Sequence, residues 1–301
     1  MTQSTLAIWL DAARPKTLPL AITSILCGSA VAASQGRLSW SISAMALVTA
    51  LLLQILSNLA NDYGDAVKGT DNAARLGPMR AIQSGHVSIA TMRRALILNV
   101  LLTLISGGSL IAIACQQPTD IVSFLLLGVM AIVAAITYTV GNKPYGYRGL
   151  GDLSVLMFFG WLGVAGTYYL QVGHIDSLVI LPATACGLLA VGVLNINNLR
   201  DIDNDRACGK HTLVVRLGPH RGRQYHVILL ASAVVCYSLF AALTFQAWLG
   251  WLFLAGVPLL IRHGREVYQA ASATALRPMM GNMVRCALVT NGLFMTGMLL
   301  V

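Results

Sequence analysis

Long apolar segments recur along the whole sequence, and they constrain the fold more than any other feature. A helix that crosses a bilayer needs roughly 17–25 predominantly apolar residues, and nine segments of about this kind are visible in 301 residues. They occupy about 17–34, 41–60, 95–114, 120–140, 153–171, 177–196, 226–245, 247–261 and 284–301. The pattern predicts an all-α polytopic membrane protein with nine transmembrane helices, in which a single transmembrane domain covers residues 1–301.

The composition excludes a soluble globular domain. Charged residues make up 10% of the chain and apolar residues 56%, whereas soluble domains typically carry about 25% charged residues. The six cysteines are scattered without metal-ligand spacing, so we expect neither a disulfide framework nor a zinc site. The N-terminal segment lacks the basic, apolar and small-residue parts of a signal peptide and is expected to lead along the interface into the first span.

The basic residues predict the orientation in the membrane. With nine spans, 19 of the 20 Lys and Arg residues fall in segments on the N-terminal side, and Arg37 alone falls on the other side. Cytoplasmic loops carry the excess of Lys and Arg, so we expect the N-terminus in the cytoplasm and the C-terminus outside. This topology explains the net charge of +9, and nucleic acid is not expected as a partner.

Acidic residues collect at the same face of the membrane. The chain has 11 Asp and Glu residues, and six of them lie in two short windows of the cytoplasmic loops 61–94 and 197–225. These six are Asp62, Asp65, Asp71, Asp201, Asp203 and Asp205. A lone carboxylate at the end of a span is usually just solvated, but solvation does not explain this clustering. The two windows therefore indicate a functional site.

The two acidic loops also resemble each other. NDYGD (61–65) is followed by RLGPMR (75–80), and RDIDND (200–205) is followed by RLGPHR (216–221). The shared order suggests an old internal duplication. In that interpretation the second and sixth spans are counterparts, and their inner ends face each other across a shared cavity.

The spacing of the acids suits a metal ion together with a diphosphate. Asn61 and Asp65 stand four residues apart. Asp201 and Asp205 repeat this spacing, which places side chains on one face of a helix. Mg²⁺ usually takes one or two carboxylates and completes its shell with water and substrate phosphate, and interleaved basic residues contact phosphate directly. Such a group at the mouth of an apolar cavity predicts a ligand with an anionic head and a lipid tail, such as a polyprenyl diphosphate.

At these residues the sequence resembles the UbiA superfamily of intramembrane aromatic prenyltransferases, over essentially its whole length. Asn61 and Asp65 match the first family signature, NxxxDxxxD. The third position departs from it, because Asp71 follows Asp65 by six residues rather than four. Asp201 and Asp205 match the second signature, DxxxD.

Three stretches look like the naphthoquinone branch of that family. They are SNLANDYGDAVKGTD (57–71), ITYTVGNKPYGYRGLGD (136–152) and LNINNLRDIDNDR (194–206). The resemblance implies nine helices around a central cavity that opens to membrane lipid, in the bacterial cytoplasmic (inner) membrane. It also implies Mg²⁺-dependent transfer of a polyprenyl chain to the aromatic acceptor 1,4-dihydroxy-2-naphthoate. The carboxylate would leave as CO₂, and the products would be demethylmenaquinone and diphosphate.

The residues and the resemblance together give a set of expected roles. We expect catalysis to depend on Asn61, Asp65, Asp201 and Asp205. Metal ligands are expected among Asp62, Asp65, Asp71, Asp201 and Asp205. Diphosphate is expected to contact Lys68, Arg75, Arg80, Lys143, Arg200, Arg206 and Lys210, although several of these basic residues equally serve topology. The acceptor is expected to contact Asn58, Tyr138, Tyr145 and Asn197. The two tyrosines could equally serve as anchors at the membrane interface.

Other functions share part of this pattern. A cation-coupled secondary transporter places charged ligands near the bilayer midplane, whereas these acids collect at one face and the interiors of the spans carry almost no ionisable residues. Within the enzyme class, the alternatives are a 4-hydroxybenzoate polyprenyltransferase of ubiquinone synthesis and a haem-farnesylating enzyme. The spacing to Asp71 and the loop 138–152 argue, by resemblance, against the first of these.

Overall fold

The computed structural model describes residues 4–72 and 75–301, and within these ranges it is helical without strands. The α-helices are α1 (Thr5–Ala13), α2 (Leu18–Ser34), α3 (Trp40–Val67), α4 (Ile89–Ala114), α5 (Pro118–Thr137), α6 (Gly151–Val155), α7 (Thr167–Val172), α8 (Ile180–Arg200), α9 (Ile202–Ala207), α10 (Leu213–Thr244), α11 (Val257–Gln269) and α12 (Met279–Leu299). A π-helical segment, Leu156–Gly166, joins α6 to α7. Shorter 3₁₀ segments are Tyr145–Arg148, Ser177–Val179, Trp248–Gly256 and Thr274–Leu276.

Several helices have the length and composition of membrane spans. Among the described residues six segments qualify: Trp40–Val67, Ile89–Ala114, Pro118–Thr137, Gly151–Val172, Ser177–Arg200 and Leu213–Thr244. A seventh is obtained if α1 and α2, bent by 53°, are counted as one span. The all-helical, multi-pass prediction is thus confirmed. The remaining predicted spans overlap α11 and α12, and the number nine stays a prediction.

Helix α8 lies at the centre of the molecule, and α5 lies at its edge. In the most apolar window of Ser177–Arg200, 61% of residues are buried inside the protein, against 6% for Pro118–Thr137. Glycine allows the π-helical segment to approach α8 closely, because a Cβ on Gly187 would lie 2.9 Å from the Cα of Gly160. Small residues at such crossings are typical of helices that pack in lipid.

Breaks in three helices shape the end of the molecule that carries the acidic loops. Arg14 ends α1 in the left-handed conformation, with φ 56°, at the bend into α2. Asp201 separates α8 from α9, yet the amide of Asp205 donates to the carbonyl of Asp201 at 2.8 Å, so one helical turn still connects the pair. Gly218, with φ 80°, precedes Pro219 at a kink in α10, where glycine tolerates the left-handed region.

Candidate active site

A cavity of about 360 Å³ lies between the helices and reaches both acidic loops. Most of its wall is apolar, with side chains such as Leu20, Ile25, Ala46, Leu110, Phe124 and Leu170. Its polar end is lined by Asn58, Asn61, Asp65, Asn197, Asp201 and Asp205, together with Arg14, Arg75, Arg80 and Lys210. The cavity thus has two parts: an apolar chamber, formed by the apolar side chains, and a charged mouth, formed by the polar and charged ones.

The structure brings the two predicted acidic pairs to the same mouth. The end of α3 supplies Asn61 and Asp65, Asp201 lies at the break between α8 and α9, and Asp205 lies in α9. Burial raises the pKa of Asp205 to about 6 although Lys210 opposes the shift, and the charges of Asp201 and Asp65 add to it. The carboxylates from the two loops are therefore close enough to interact through their charges.

Asp62, next to the first pair, has a different environment. It is 1% exposed and does not line the cavity. Its Oδ1 is paired with the guanidinium of Arg14 and lies 3.4 Å from Nε of Arg80. Burial lowers the pKa of Arg80 to about 9, the charges of Arg14 and Arg75 lower it further, and Asp62 opposes the shift. Asp62 thus holds two cations of the mouth together.

Arginines also contact the second acidic loop. Arg75 Nε lies 3.3 Å from Asp71 Oδ1 and 3.9 Å from Asp201 Oδ2, so this side chain bridges the two acidic loops. Arg200 donates two hydrogen bonds to Asp201, at 3.0 and 2.6 Å, and one to Asn197 Oδ1 at 2.9 Å. Burial raises the pKa of Asp71, with Arg75 opposing the shift.

The basic residues predicted to bind diphosphate divide into two groups. Arg75, Arg80 and Lys210 line the cavity, and Lys210 Nζ lies 3.6 Å from Asp205 Oδ1. The other four do not belong to its lining: Arg200 is buried against Asp201, Arg206 is half exposed beside Asp203, and Lys68 and Lys143 are exposed. The structure thus brings three of the seven to the mouth.

All four residues predicted to contact the acceptor line the cavity. The rings of Tyr138 and Tyr145 pack edge to face with centroids 5.3 Å apart. A Cβ on Gly151 would lie 2.7 Å from the hydroxyl oxygen of Tyr138, so the glycine leaves room for this ring. Asn58 donates to the carbonyl of Ala13 at 2.9 Å, which ties α3 to the end of α1.

The side chains fit a metal ion that arrives with a phosphate ligand. Within residues 4–72 and 75–301, no group of three or more His, Cys, Asp or Glu side chains is arranged to hold an ion by itself. Asp205 Oδ2 is buried and accepts no hydrogen bond from the described residues. Mg²⁺ needs one or two carboxylates when water and substrate phosphate complete its shell. The donor set therefore suits Mg²⁺ bound jointly by protein and diphosphate.

Two residues of the site were absent from the predicted set. Arg14 lines the cavity and pairs with Asp62, whereas its position before the first span favoured a role in topology over closure of the site. Tyr147 donates a hydrogen bond to Asp65 Oδ1 at 2.8 Å, although the loop 138–152 drew attention to Tyr138 and Tyr145. The one available signal was that three tyrosines occur within ten residues of that glycine-rich loop.

The sequence matches the UbiA prenyltransferase family over residues 21–283. A 1,4-dihydroxy-2-naphthoate octaprenyltransferase from Escherichia coli strain K12 is 54% identical over 97% of this chain and 95% of that protein. A protein of the same name from Haemophilus influenzae is 51% identical over 100% of this chain and 98% of that protein.

Solved structures of similar proteins have the same fold. A UbiA homolog from Aeropyrum pernix K1 aligns with a TM-score of 0.67 at 16% identity, over 97% of this chain and 98% of that one. A UbiA homolog from Archaeoglobus fulgidus, bound to GPP and Mg²⁺, aligns with a TM-score of 0.60 at 15% identity, over 95% and 99% of the two chains. At these identities the likeness concerns the fold.

Proposed function

Because the chain belongs to the UbiA prenyltransferase family, we propose that it transfers a polyprenyl chain from polyprenyl diphosphate to 1,4-dihydroxy-2-naphthoate. The products are demethylmenaquinone in its reduced, quinol form, diphosphate and CO₂. Relatives that are 54% and 51% identical over nearly their full length are named for this acceptor. The observation that carries the proposal is the cavity itself, which joins an apolar chamber to a mouth lined by Asp65, Asp201 and Asp205.

The mouth is suited to bind the diphosphate and to stabilise it as it leaves. We propose that Asp65, Asp201 and Asp205 hold Mg²⁺, which when bound neutralises charge on the diphosphate. Arg75, Arg80 and Lys210 line the same mouth and contact phosphate oxygens where negative charge develops. The allylic C–O bond breaks, its electron pair stays with diphosphate, and the prenyl group is left as a carbocation.

The chamber positions the acceptor and excludes water. Tyr138, Tyr145, Asn58 and Asn197 line the cavity and orient the dihydroxynaphthoate ring, which is electron-rich without help from a strong base. A ring carbon forms the new bond to the prenyl cation, and the carboxylate that it carried leaves as CO₂. The apolar wall prevents hydrolysis of the cation.

The proposal also places the protein in the membrane. We propose nine spans in a bacterial cytoplasmic membrane, surrounded by lipid, with the N-terminus in the cytoplasm and the C-terminus outside. The distribution of Lys and Arg supports this orientation. The acidic loops then meet the cytoplasm, where the soluble acceptor reaches them, while the prenyl chain stays in the apolar chamber.

A reconstituted assay tests the reaction, its acceptor and its metal. Purified protein in detergent receives a polyprenyl diphosphate and Mg²⁺, with 1,4-dihydroxy-2-naphthoate or 4-hydroxybenzoate as acceptor and an EDTA control for each. We expect prenylated naphthoquinol, detected as the quinone after oxidation by air, and released CO₂, both lost with EDTA. Product from 4-hydroxybenzoate alone would move the protein to ubiquinone synthesis. If neither acceptor gives a product, the proposed prenyltransferase activity is contradicted, and the transporter becomes the alternative to test.

Variants of the acidic loops test the residue assignments. Asp65→Asn and Asp201→Asn are expected to abolish turnover while the protein remains folded in detergent, because each removes a proposed metal ligand. Asp203→Asn is the matched control, since the Asp203 side chain is 86% exposed beside Arg206, and it is expected to retain activity. Full activity of Asp65→Asn or Asp201→Asn would overturn the metal assignment.

A further inference from the structure

We propose that Tyr147 is a positioning residue of this site: its hydroxyl fixes the Asp65 carboxylate, and its ring holds the ammonium group of Lys210, which lines the mouth proposed to bind diphosphate. The inference rests on the proposed function, and it adds a residue with its own role. Tyr147 is 9% exposed, lies in the 3₁₀ turn Tyr145–Arg148 and does not belong to the cavity lining formed by the described residues. It therefore acts on the substrate through its neighbours.

The hydroxyl of Tyr147 forms a directed chain of hydrogen bonds. It donates to Asp65 Oδ1 at 2.8 Å and lies 2.6 Å from Thr70 Oγ1. A phenol has one proton, and that proton is used for the carboxylate, so Thr70 donates to the phenolic oxygen. Asn204 in turn donates to the Thr70 carbonyl at 3.0 Å. The chain ties Asp65 of the first acidic loop to the second.

The ring of Tyr147 lies beside two lysines. Lys68 Nζ and Lys210 Nζ are 5.7 and 5.4 Å from its centroid, within the range of a cation–π interaction. Lys210 Nζ is also 3.6 Å from Asp205 Oδ1. Although burial opposes its charged form, the carboxylates of Asp65 and Asp205 raise the pKa of Lys210. One aromatic side chain thus contacts a carboxylate of the first loop and a cation that is paired with the second.

Backbone hydrogen bonds fix the turn that carries Tyr147, and its phenol stays protonated, so it can donate to Asp65. The amide of His211 donates to the Tyr147 carbonyl at 2.9 Å, and Arg216 donates to the neighbouring Arg148 carbonyl at 2.7 Å. Burial raises the pKa of Tyr147, and the charge of Asp65 raises it further. The hydroxyl therefore remains protonated at neutral pH and donates to the Asp65 carboxylate.

Two substitutions separate the hydroxyl from the ring. Tyr147→Phe removes the hydrogen-bond donor and keeps the ring beside the lysines, whereas Tyr147→Leu removes both. Hydrogen bonds to charged groups are worth about a factor of ten or more in affinity. We expect Tyr147→Phe to raise the half-saturating Mg²⁺ concentration and the KM for polyprenyl diphosphate about tenfold, with a smaller change in kcat. Tyr147→Leu is expected to raise the KM for the diphosphate further.

Tyr169→Phe is the matched control. The hydroxyl of Tyr169 donates to Asp120 Oδ1 at 2.8 Å, so the substitution removes a hydrogen bond of the same kind and length. Neither Tyr169 nor Asp120 belongs to the described cavity lining. We expect this variant to keep the wild-type KM, kcat and Mg²⁺ dependence.

A binding measurement keeps the test independent of turnover. Binding of farnesyl thiodiphosphate with Mg²⁺ is measured by calorimetry in detergent for wild type, Tyr147→Phe, Tyr147→Leu and Tyr169→Phe. About tenfold weaker binding by Tyr147→Phe, with wild-type binding by Tyr169→Phe, would support the inference. Unchanged binding by Tyr147→Phe, or an equal loss in Tyr169→Phe, would overturn it.

Two further outcomes are distinguishable. If Tyr147→Phe does not fold in detergent, Thr70→Val takes its place, because it removes the donor to the phenolic oxygen and keeps Tyr147. Weaker binding of the thiodiphosphate by Thr70→Val supports the inference, and wild-type binding overturns it. Wild-type protein that binds the analogue with Mg²⁺ but prenylates no naphthoate would contradict the proposed acceptor and leave the positioning test valid.

Discussion

At the scale of single residues, Asp62 and Asp65 show how neighbouring carboxylates take different roles. Both lie on the last turns of α3 and are buried, at 1% and 8% exposure. Asp65 lines the cavity and accepts a hydrogen bond from neutral Tyr147, whereas Asp62 is paired with Arg14 and Arg80. The carboxylate that is held by a neutral donor, Asp65, is the one that we propose as a metal ligand. The negative charge of Asp62 is already balanced by its ion pairs with Arg14 and Arg80.

The first prediction concerns Asp62. Asp62→Asn leaves Arg14 and Arg80 close together without their shared carboxylate, and removing one partner from a buried ion pair costs about 3–5 kcal/mol. We expect a lower thermal unfolding midpoint in detergent with EDTA present, because the loss does not involve a metal. Scanning fluorimetry measures it, and Asp203→Asn, at an exposed position, is the control. A wild-type midpoint combined with a weakened Mg²⁺ dependence would assign Asp62 to the metal instead.

At the scale of helices, the close approach of α8 to the π-helical segment Leu156–Gly166 sets one wall of the cavity. A Cβ on Gly187 would lie 2.9 Å from Gly160 Cα, and one on Gly160 would lie 2.6 Å from the Ala183 carbonyl oxygen. Both contacts are with backbone atoms, which have no rotamer by which to move away. Phe158 and Leu162 of the π-helical segment and Leu194 of α8 line the cavity, so the helix separation determines the width of the chamber.

The second prediction follows from this packing. Gly187→Val is expected to push the two helices apart, which lowers thermal stability and weakens binding of the prenyl chain. Gly108→Val in α4 is the control, because a Cβ there meets nothing within 4 Å. The two variants are compared by unfolding midpoint and by KM for polyprenyl diphosphate. Equal behaviour of both would show that the close contact is not needed.

At the scale of the whole molecule, the acidic loops meet at one end of the helices, which is the end predicted from the Lys and Arg counts to face the cytoplasm. The ends of α3 and α8 lie at the same mouth, as the predicted correspondence of these two spans requires. The internal duplication itself stays a prediction.

The third prediction concerns the topology. If the protein has nine spans with the excess of Lys and Arg in the cytoplasm, its termini lie on opposite sides of the membrane. A fluorescent protein fused to the N-terminus is expected to fluoresce, and alkaline phosphatase fused to the C-terminus is expected to be active. Each reporter on the opposite terminus is the control and is expected to be inactive. Termini on the same side would require an even number of spans.

The sequence by itself determined the helical architecture with several membrane spans, and it predicted that Asp65, Asp201 and Asp205 come together; the structure has all three in the lining of one cavity. These conclusions depend on local properties: the length of apolar segments, the spacing of acids along a helix and the separation of charges between loops. The tertiary structure decided which partner each charged group meets. Tyr147 and Asp65 are separated by 82 positions, and Asn204 and Thr70 by 134. Such contacts depend on how distant loops pack against one another, and local spacing therefore did not show that Arg14 would pair with Asp62 or that Tyr147 would hold Asp65.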